Sequence, residues 1–324
     1  MLDEIEFINI GNTTLLNFIF NNKYKNKIYN EEIKIDKNNV FIIHCFSDIN
    51  QIRSILPYLE KGNKFILDRT WELELDERIP ELLRKYSKNA MTIMTSALPD
   101  TNILGRRQSV PMFFWYNEFL HYHRNKQFIP LCPNPTSINF LMPIGSEKDF
   151  RTKFVEQLGN RLQNSIYSMI YQKIYLPNDL PLIDNQIFPG WDRYNNPDWY
   201  KLTGYSVVLE SFIDKCIYIS EKTFKPIANG HPFLVLGSPG VLATLRDNGF
   251  KTFNGIIDEC YDNETDLDKR IQLIISQMDL ITTEKLNEMR EIVIHNRNRF
   301  FNKDLVHAGI TRDFKYPIEE FCLG

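Results

Sequence analysis

Apolar residues fall into two alternating patterns along this chain. Short continuous runs of Val, Ile, Leu and Phe alternate with stretches whose apolar positions recur every three or four residues. Continuous runs fit strands buried on both faces, and their alternation with helices marks a parallel sheet. In the first half, 39–46, 64–68 and 90–97 predict strands. Between them, 47–59, opened by Ser47 and Asp48 as capping residues, and 76–86 predict helices. This β-α-β-α-β unit is half of a doubly wound fold. Residues 1–38 fit one strand and one helix loosely.

A stretch with three prolines, 128–135, breaks the pattern. It sets a boundary between domains 1–135 and 136–324, with a tail at 304–324 that lacks periodicity and is expected to cross back to the first domain. Beyond the boundary, strands are predicted at 137–144, 205–210, 216–219 and 232–237. Helices are predicted at 147–162, 221–229, 239–248, 267–280 and 284–300, and a Pro-, Asn- and Asp-rich surface excursion at 177–197.

Composition narrows the class. The chain has 324 residues, 43% of them hydrophobic, enough to fill two cores. Its formal net charge of −3 does not suit a protein that holds nucleic acid mainly through phosphates, so nucleic acid is not the favoured partner. Five scattered cysteines form neither a disulfide framework nor a zinc motif. The acidic start lacks the features of a signal peptide and no run is long enough for a membrane span, so a cytoplasmic location is expected.

The chemistry concentrates in 205–253. Ser220 stands between a strand and a helix as an N-cap, and Glu221 occupies the first turn, where a carboxylate suits the helix dipole. Gly230 ends that helix. After Gly237, Ser238 and Pro239 start another. Two helices therefore begin at the carboxyl ends of strands, the edge where open α/β sheets bind ligands. Unpaired N–H groups there favour a phosphate, Lys222 adds a positive charge for a diphosphate, and Glu221 offers an acceptor for ribose hydroxyls. These parts would hold a nucleoside diphosphate without a metal or cofactor. The plain alternative is that Ser220 and Glu221 merely cap a helix and Lys222 is solvated.

The run Glu210-Ser211, a spacer, Ile219-Ser220-Glu221-Lys222, then Gly230, Pro232 and Gly237 resembles the donor-binding motif of the α1,3-fucosyltransferases, which reads E-N-S, then I-T-E-K, then G-x-P-V-V-x-G. It is also similar to phage and bacterial glycosyltransferase-like proteins with S/T-E-K-T-x-K-P-I followed by G-x-P-F. The resemblance covers 137–260; Ser211 replaces the family's Asn, and the spacer is one residue longer. It implies a GT-B-like α/β fold, two Rossmann-like domains facing a cleft. It further implies a nucleotide-sugar donor and a glycan or other hydroxyl acceptor, with Glu221 on the ribose and Lys222 on the diphosphate. Glu210, Gly237 and Ser238 join the donor-side set. The family's strand, basic loop and helix correspond to 140–145 followed by Lys148 and Arg151, either of which can reach the diphosphate; the alternative is a solvated helix face.

An inverting transfer needs a general base, which in this fold comes from the N-terminal domain. The candidates are Asp68 at a strand end, Glu72 beside Trp71, and Glu118 in the aromatic run 113–116, itself a candidate surface for a sugar. Asp266-Leu267-Asp268 matches the D-x-D that binds metal in the other major glycosyltransferase fold, but it follows Thr265 at a helix start and reads as capping. His121, His123, Arg124, Arg106 and Arg107 form a basic cluster, read as a mixed surface loop. The expected activity is inverting, metal-independent glycosyl transfer. The alternatives are a non-catalytic nucleotide- or glycan-binding module, or a phage-type DNA-base glycosyltransferase.

Overall fold

The computed structural model describes residues 5–10, 25–28, 30, 34–44, 47–70, 78–95, 103–124, 137–172, 174, 197–214 and 216–324. The chain divides into two compact units, Met1–Leu120 with Lys303–Gly324, and His121–Asn302. The division falls ahead of the boundary expected near residue 135, and the proline-rich stretch itself lies outside the described residues.

The described residues of the first unit form six parallel strands, β1 (Glu6–Ile10), β2 (Lys25–Ile28), β3 (Asn39–His44), β4 (Phe65–Arg69), β5 (Ala90–Met94) and β6 (Arg106–Ser109). Their order is β2-β1-β3-β4-β5-β6. Among the described residues of 1–38 there are two strands where one was expected, and the short polar β6 was not anticipated. Helices α1 (Ile49–Glu60), α2 (Arg78–Leu83) and α3 (Phe113–Arg124) accompany the sheet, α3 running across the division. Asp48 caps α1, its carboxylate accepting from Asn50 N. In-register pairs Phe41–Phe65 and Ile43–Leu67 put alternate side chains on one face, where Ile52, Ile55 and Leu59 of α1 complete a core. The opposite face buries Ile42, Ile66 and Met91, so both faces are apolar and the runs read as continuous.

The described residues of the second unit form four parallel strands: β7 (Phe140–Ile144), β8 (Ser165–Met169), β9 (Tyr205–Leu209) and β10 (Phe233–Leu236). Its helices are α4 (Asp149–Leu158), α5 (Pro197–Leu202), α6 (Glu221–Asn229), α7 (Val241–Asp247), α8 (Leu267–Asp279), α9 (Thr283–Glu288) and α10 (Arg290–Phe300). The expected strand at 216–219 does not form, and β8, which was not anticipated, stands at the edge of the sheet beside β7. The order β10-β9-β7-β8 puts the reversal of direction between β7 and β9. In doubly wound sheets the carboxyl ends of the strands at such a point are where ligands bind.

The tail is helical. It comprises α11 (Lys303–Ile310), a π-helical turn at Thr311–Lys315 and α12 (Tyr316–Leu323). It packs into the first unit through Phe314 on Phe113 and through Gly309, where an added Cβ would come within 2.4 Å of the Tyr116 hydroxyl. Lys64 Nζ donates to the carbonyls of Phe321 and Cys322, closing the end of α12. No helix among the described residues is long and apolar enough to cross a membrane.

Candidate functional site

The loop from β9 to α6 leaves the sheet at its reversal point. Ser220 has the extended backbone of an N-cap, and its hydroxyl accepts from Lys222 N at 3.3 Å. Gly230 closes α6 in the left-handed region, at φ 67° and ψ 46°, a conformation glycine adopts without penalty.

Beneath this helix start lies Glu210, with no exposed surface. Its Oε1 accepts from Ser220 N at 3.0 Å and Thr223 Oγ1 at 2.6 Å, and its Oε2 accepts from Ser220 Oγ at 2.5 Å. Burial pushes the Glu210 carboxyl upward, opposed by the Lys222 charge and the two hydroxyl bonds. The sequence put Glu210 among substrate-binding groups; its carboxylate instead faces inward and is filled by the first turn of α6. Gly237 makes room for Val241 at the start of α7, since an added Cβ would lie only 2.9 Å from Val241 Cγ2.

Arg151 is 1% exposed, so the solvated face considered for it is excluded. Its Nη2 donates to the carbonyls of Leu209 and Glu210 at 3.1 and 3.0 Å, and its Nη1 to Ser146 Oγ and O at 2.5 and 3.1 Å. It fastens the β7–α4 loop to the end of β9, across the reversal point. Lys148 immediately precedes α4 and lies half-buried, with Nζ 4.9 Å from the centre of the Phe212 ring. Arg270, unremarked in the sequence, is buried and donates to the carbonyls of Ile213, Gly237, Glu264 and Thr265.

Glu221 and Lys222 stand at the rim, with side chains 21% and 29% exposed. Lys222 Nζ donates to Glu221 Oε1 at 2.8 Å and to Ser211 Oγ at 3.1 Å. Burial works against a charge on Glu221, but the Lys222 and Lys225 charges and the Lys222 hydrogen bond outweigh it, bringing the carboxyl to about 2. The rim therefore presents an ionised carboxylate and a cation side by side.

The second helix start differs from expectation. Gly240, at φ 89°, takes the N-cap position of α7, so the helix begins beyond Ser238 and Pro239. Ser238 Oγ donates instead to Cys216 O at 2.5 Å. Asp262 occupies the helix end, accepting from Leu242 N at 2.9 Å and Ala243 N at 3.0 Å. A protein carboxylate already fills the position proposed for a phosphate, which leaves α6 and its lysine as the cationic element at this edge.

Behind α6, His231 is buried. Its Nε2 lies 2.9 Å from Thr203 O, an acceptor only, so Nε2 carries the proton and Nδ1 accepts from Ser206 Oγ at 2.8 Å. Burial drives its pKa down to about 4. Asp266 caps α8 by accepting from Lys269 N, and Asp268 pairs with Lys153, so the two acids of the D-x-D serve separate local partners. Among the described residues no group of three His, Cys, Asp or Glu side chains converges on a common point.

In the first unit, Asp68 lies on β4, fully buried, and pairs in register with His44 at the end of β3. Its Oδ1 accepts from Thr70 N and Oγ1, while no donor among the described residues reaches Oδ2. Burial raises its carboxyl, partly opposed by His44. Glu118 is 1% exposed on α3. Phe113, Phe114, Trp115 and Tyr116 are likewise buried, which corrects their reading as a sugar surface: α3 is apolar nearly all round and is covered by the core and the tail. Glu72, Trp71 and the side chain of Arg124 lie outside the described residues. Arg106 pairs with Glu320 of α12, while Arg107 is exposed on β6. His121 is half-buried and His123 exposed on α3.

No protein-family model and no curated protein matches the sequence. Solved structures do match in shape. A crystal structure of an α1,3-fucosyltransferase aligns with a TM-score of 0.50 at 10% identity, covering 94% of this chain and 91% of that one. A DNA-modifying β-glucosyltransferase aligns with a TM-score of 0.47 at 12% identity, covering 96% and 99%. An α1,3-fucosyltransferase crystallised with GDP-fucose gives 0.46 at 11%, covering 97% and 89%. The first likeness, with the two parallel sheets, establishes the fold: two Rossmann-like domains of the kind found in GT-B glycosyltransferases.

Proposed function

We propose that this chain is a glycosyltransferase. It takes a sugar from a nucleoside-diphosphate donor bound at the start of α6 and passes it to a glycan or other acceptor hydroxyl, with inversion and without a metal. One observation carries the reading: the ionised Glu221 and the Lys222 ammonium sit together at the rim of the sheet's reversal point, 2.8 Å apart.

In this scheme Glu221 accepts the ribose hydroxyls and Lys222 turns toward the diphosphate, with Lys148 as a second cation on the same edge. Charge accumulates on the diphosphate as the sugar leaves, so a cation there favours the transition state over the ground state. Glu210 acts one layer down, fixing the α6 start, while Arg151 ties the β7–α4 loop to the end of β9 and Gly237 and Ser238 shape the turn into α7. Asp68 is the candidate base for the acceptor's proton.

A non-catalytic binding module is the second reading. It is favoured by the burial of both described candidate bases, Asp68 and Glu118. Calorimetry with UDP and GDP tests the donor site. Binding should be micromolar to millimolar, and Lys222→Ala should weaken it by about 1.5–3 kcal/mol, or about 10–100-fold. Absence of binding, or equal affinity in the variant, would overturn the site. Release of sugar or UDP from a donor panel separates the enzyme from the binding module.

A further inference from the structure

We infer that Arg270 is a positioning residue for the donor site: from α8 it seats the loop that follows β9, so that Ser211 meets Lys222. The inference rests on the donor reading above. Arg270 is 2% exposed. Its Nε donates to Glu264 O at 2.7 Å, its Nη1 to Ile213 O at 2.7 Å and Gly237 O at 2.6 Å, and its Nη2 to Thr265 O at 3.2 Å, so four of its five N–H groups meet backbone carbonyls. A buried guanidinium is ordinarily paired with an acid. Each of these partners is instead a main-chain oxygen, and the planar fork fixes their directions as well as their distances. What Arg270 holds is therefore a backbone geometry.

Two of the four carbonyls locate that geometry. Ile213 belongs to the loop leaving β9, and Gly237 immediately follows β10, the neighbouring strand. One nitrogen, Nη1, bridges them, so the loop is pinned to the turn that leads into α7. Ser238 adds to the same seam: its Oγ donates to Cys216 O at 2.5 Å and lies 3.4 Å from Phe212 O. Ser211 stands two residues before Ile213, and its Oγ accepts from Lys222 Nζ at 3.1 Å. Phe212, between them, has Lys148 Nζ 4.9 Å from its ring centre. Both lysines assigned to the diphosphate thus rest against the segment 211–213, whose far end Arg270 ties down. Without the guanidinium, Ile213 O and Gly237 O lose their shared donor, and Ser211 loses the anchor that aims it at Lys222.

A double-mutant cycle, read by calorimetry with UDP and GDP, tests this line of contacts. Arg270→Met should weaken nucleotide binding about tenfold in the parent but less than about threefold in Lys222→Ala, where the lysine it positions is already gone. Ile274→Ala, which removes a fully buried side chain from the same helix, shows what lost stability alone does to affinity, and should change it less than about twofold. If Arg270→Met does not fold, Arg270→Lys, which keeps the charge but not the fork, is carried through the same cycle. Equal losses in the parent and in Lys222→Ala, an unchanged affinity, or a loss no larger than that of Ile274→Ala would overturn the inference and leave the donor site standing. A parent that binds neither nucleotide would instead remove the donor reading, and this inference with it.

Discussion

Replacing Glu210 tests whether the start of α6 is held from below. Its carboxylate receives Ser220 N, Ser220 Oγ and Thr223 Oγ1 at 3.0, 2.5 and 2.6 Å, all out of water. Hydrogen bonds to a charged group contribute about 1.5–3 kcal/mol each, so three taken independently would exceed about 4 kcal/mol. Removing the acid also removes its own desolvation cost, and the two hydroxyls can rotate to other acceptors, whereas Ser220 N cannot. Glu210→Ala should therefore cost about 3 kcal/mol. Glu210→Gln keeps an oxygen for Ser220 N and Thr223 Oγ1 and turns an amide toward Ser220 Oγ, which can accept; its cost should be about 1 kcal/mol. Urea unfolding, followed by tryptophan fluorescence, should show the midpoint falling in that order with little change in slope. Nucleotide affinity should fall in Glu210→Ala even where the protein remains folded, because Ser220 and Lys222 lose their seat. Equal midpoints for Ala and Gln, or an Ala stability within about 1 kcal/mol of the parent, would refute the assignment of Glu210 as the support of this helix.

Three further expectations follow from the same geometry. His231, at about 4 when folded and 6.5 as its ordinary value, binds fewer protons folded than unfolded; its contribution is complete above about pH 6.5 and lost as pH falls toward 4. That loss amounts to about 3 kcal/mol, and His231→Asn should flatten the urea midpoint between pH 7 and 4.5. Donor turnover, once detected, should survive EDTA; complete loss with recovery on Mn²⁺ or Mg²⁺ would return Asp266 and Asp268 to consideration as ligands. Asp68→Asn should lower turnover about 10²–10⁴-fold with unchanged nucleotide affinity, and a near-normal rate would remove it as the base.

What the sequence made legible was whatever depends on near neighbours. Ser220 as N-cap, Gly230 as left-handed cap, Asp266 at the start of α8 and the buried strands each follow from local spacing and apolar period. What escaped it depends on residues far apart. The first N–H groups of α7 are met by Asp262, fifteen residues beyond the last residue of that helix, Asp247, while the nearer Ser238 is displaced by the backbone turn at Gly240. Arg151 has the spacing of an exposed helical residue, and only the end of β9 reveals why it is buried. The aromatic run of α3 can pave a sugar site or fill a core, and the covering tail, nearly two hundred residues later, decides between them.

The division of the chain also dictates an order of events during synthesis. The second unit is contiguous in sequence, so everything it needs has left the ribosome once Asn302 has emerged. The first unit is interrupted: Phe314, Gly309 and the Asp313 partner of Tyr116 are made only after the whole of the second. Until then the aromatic side of α3 is exposed in a nascent chain, a surface suited to chaperones or to self-association. Translation that stops short of residue 303 should release a chain with a finished second unit and an unfinished first.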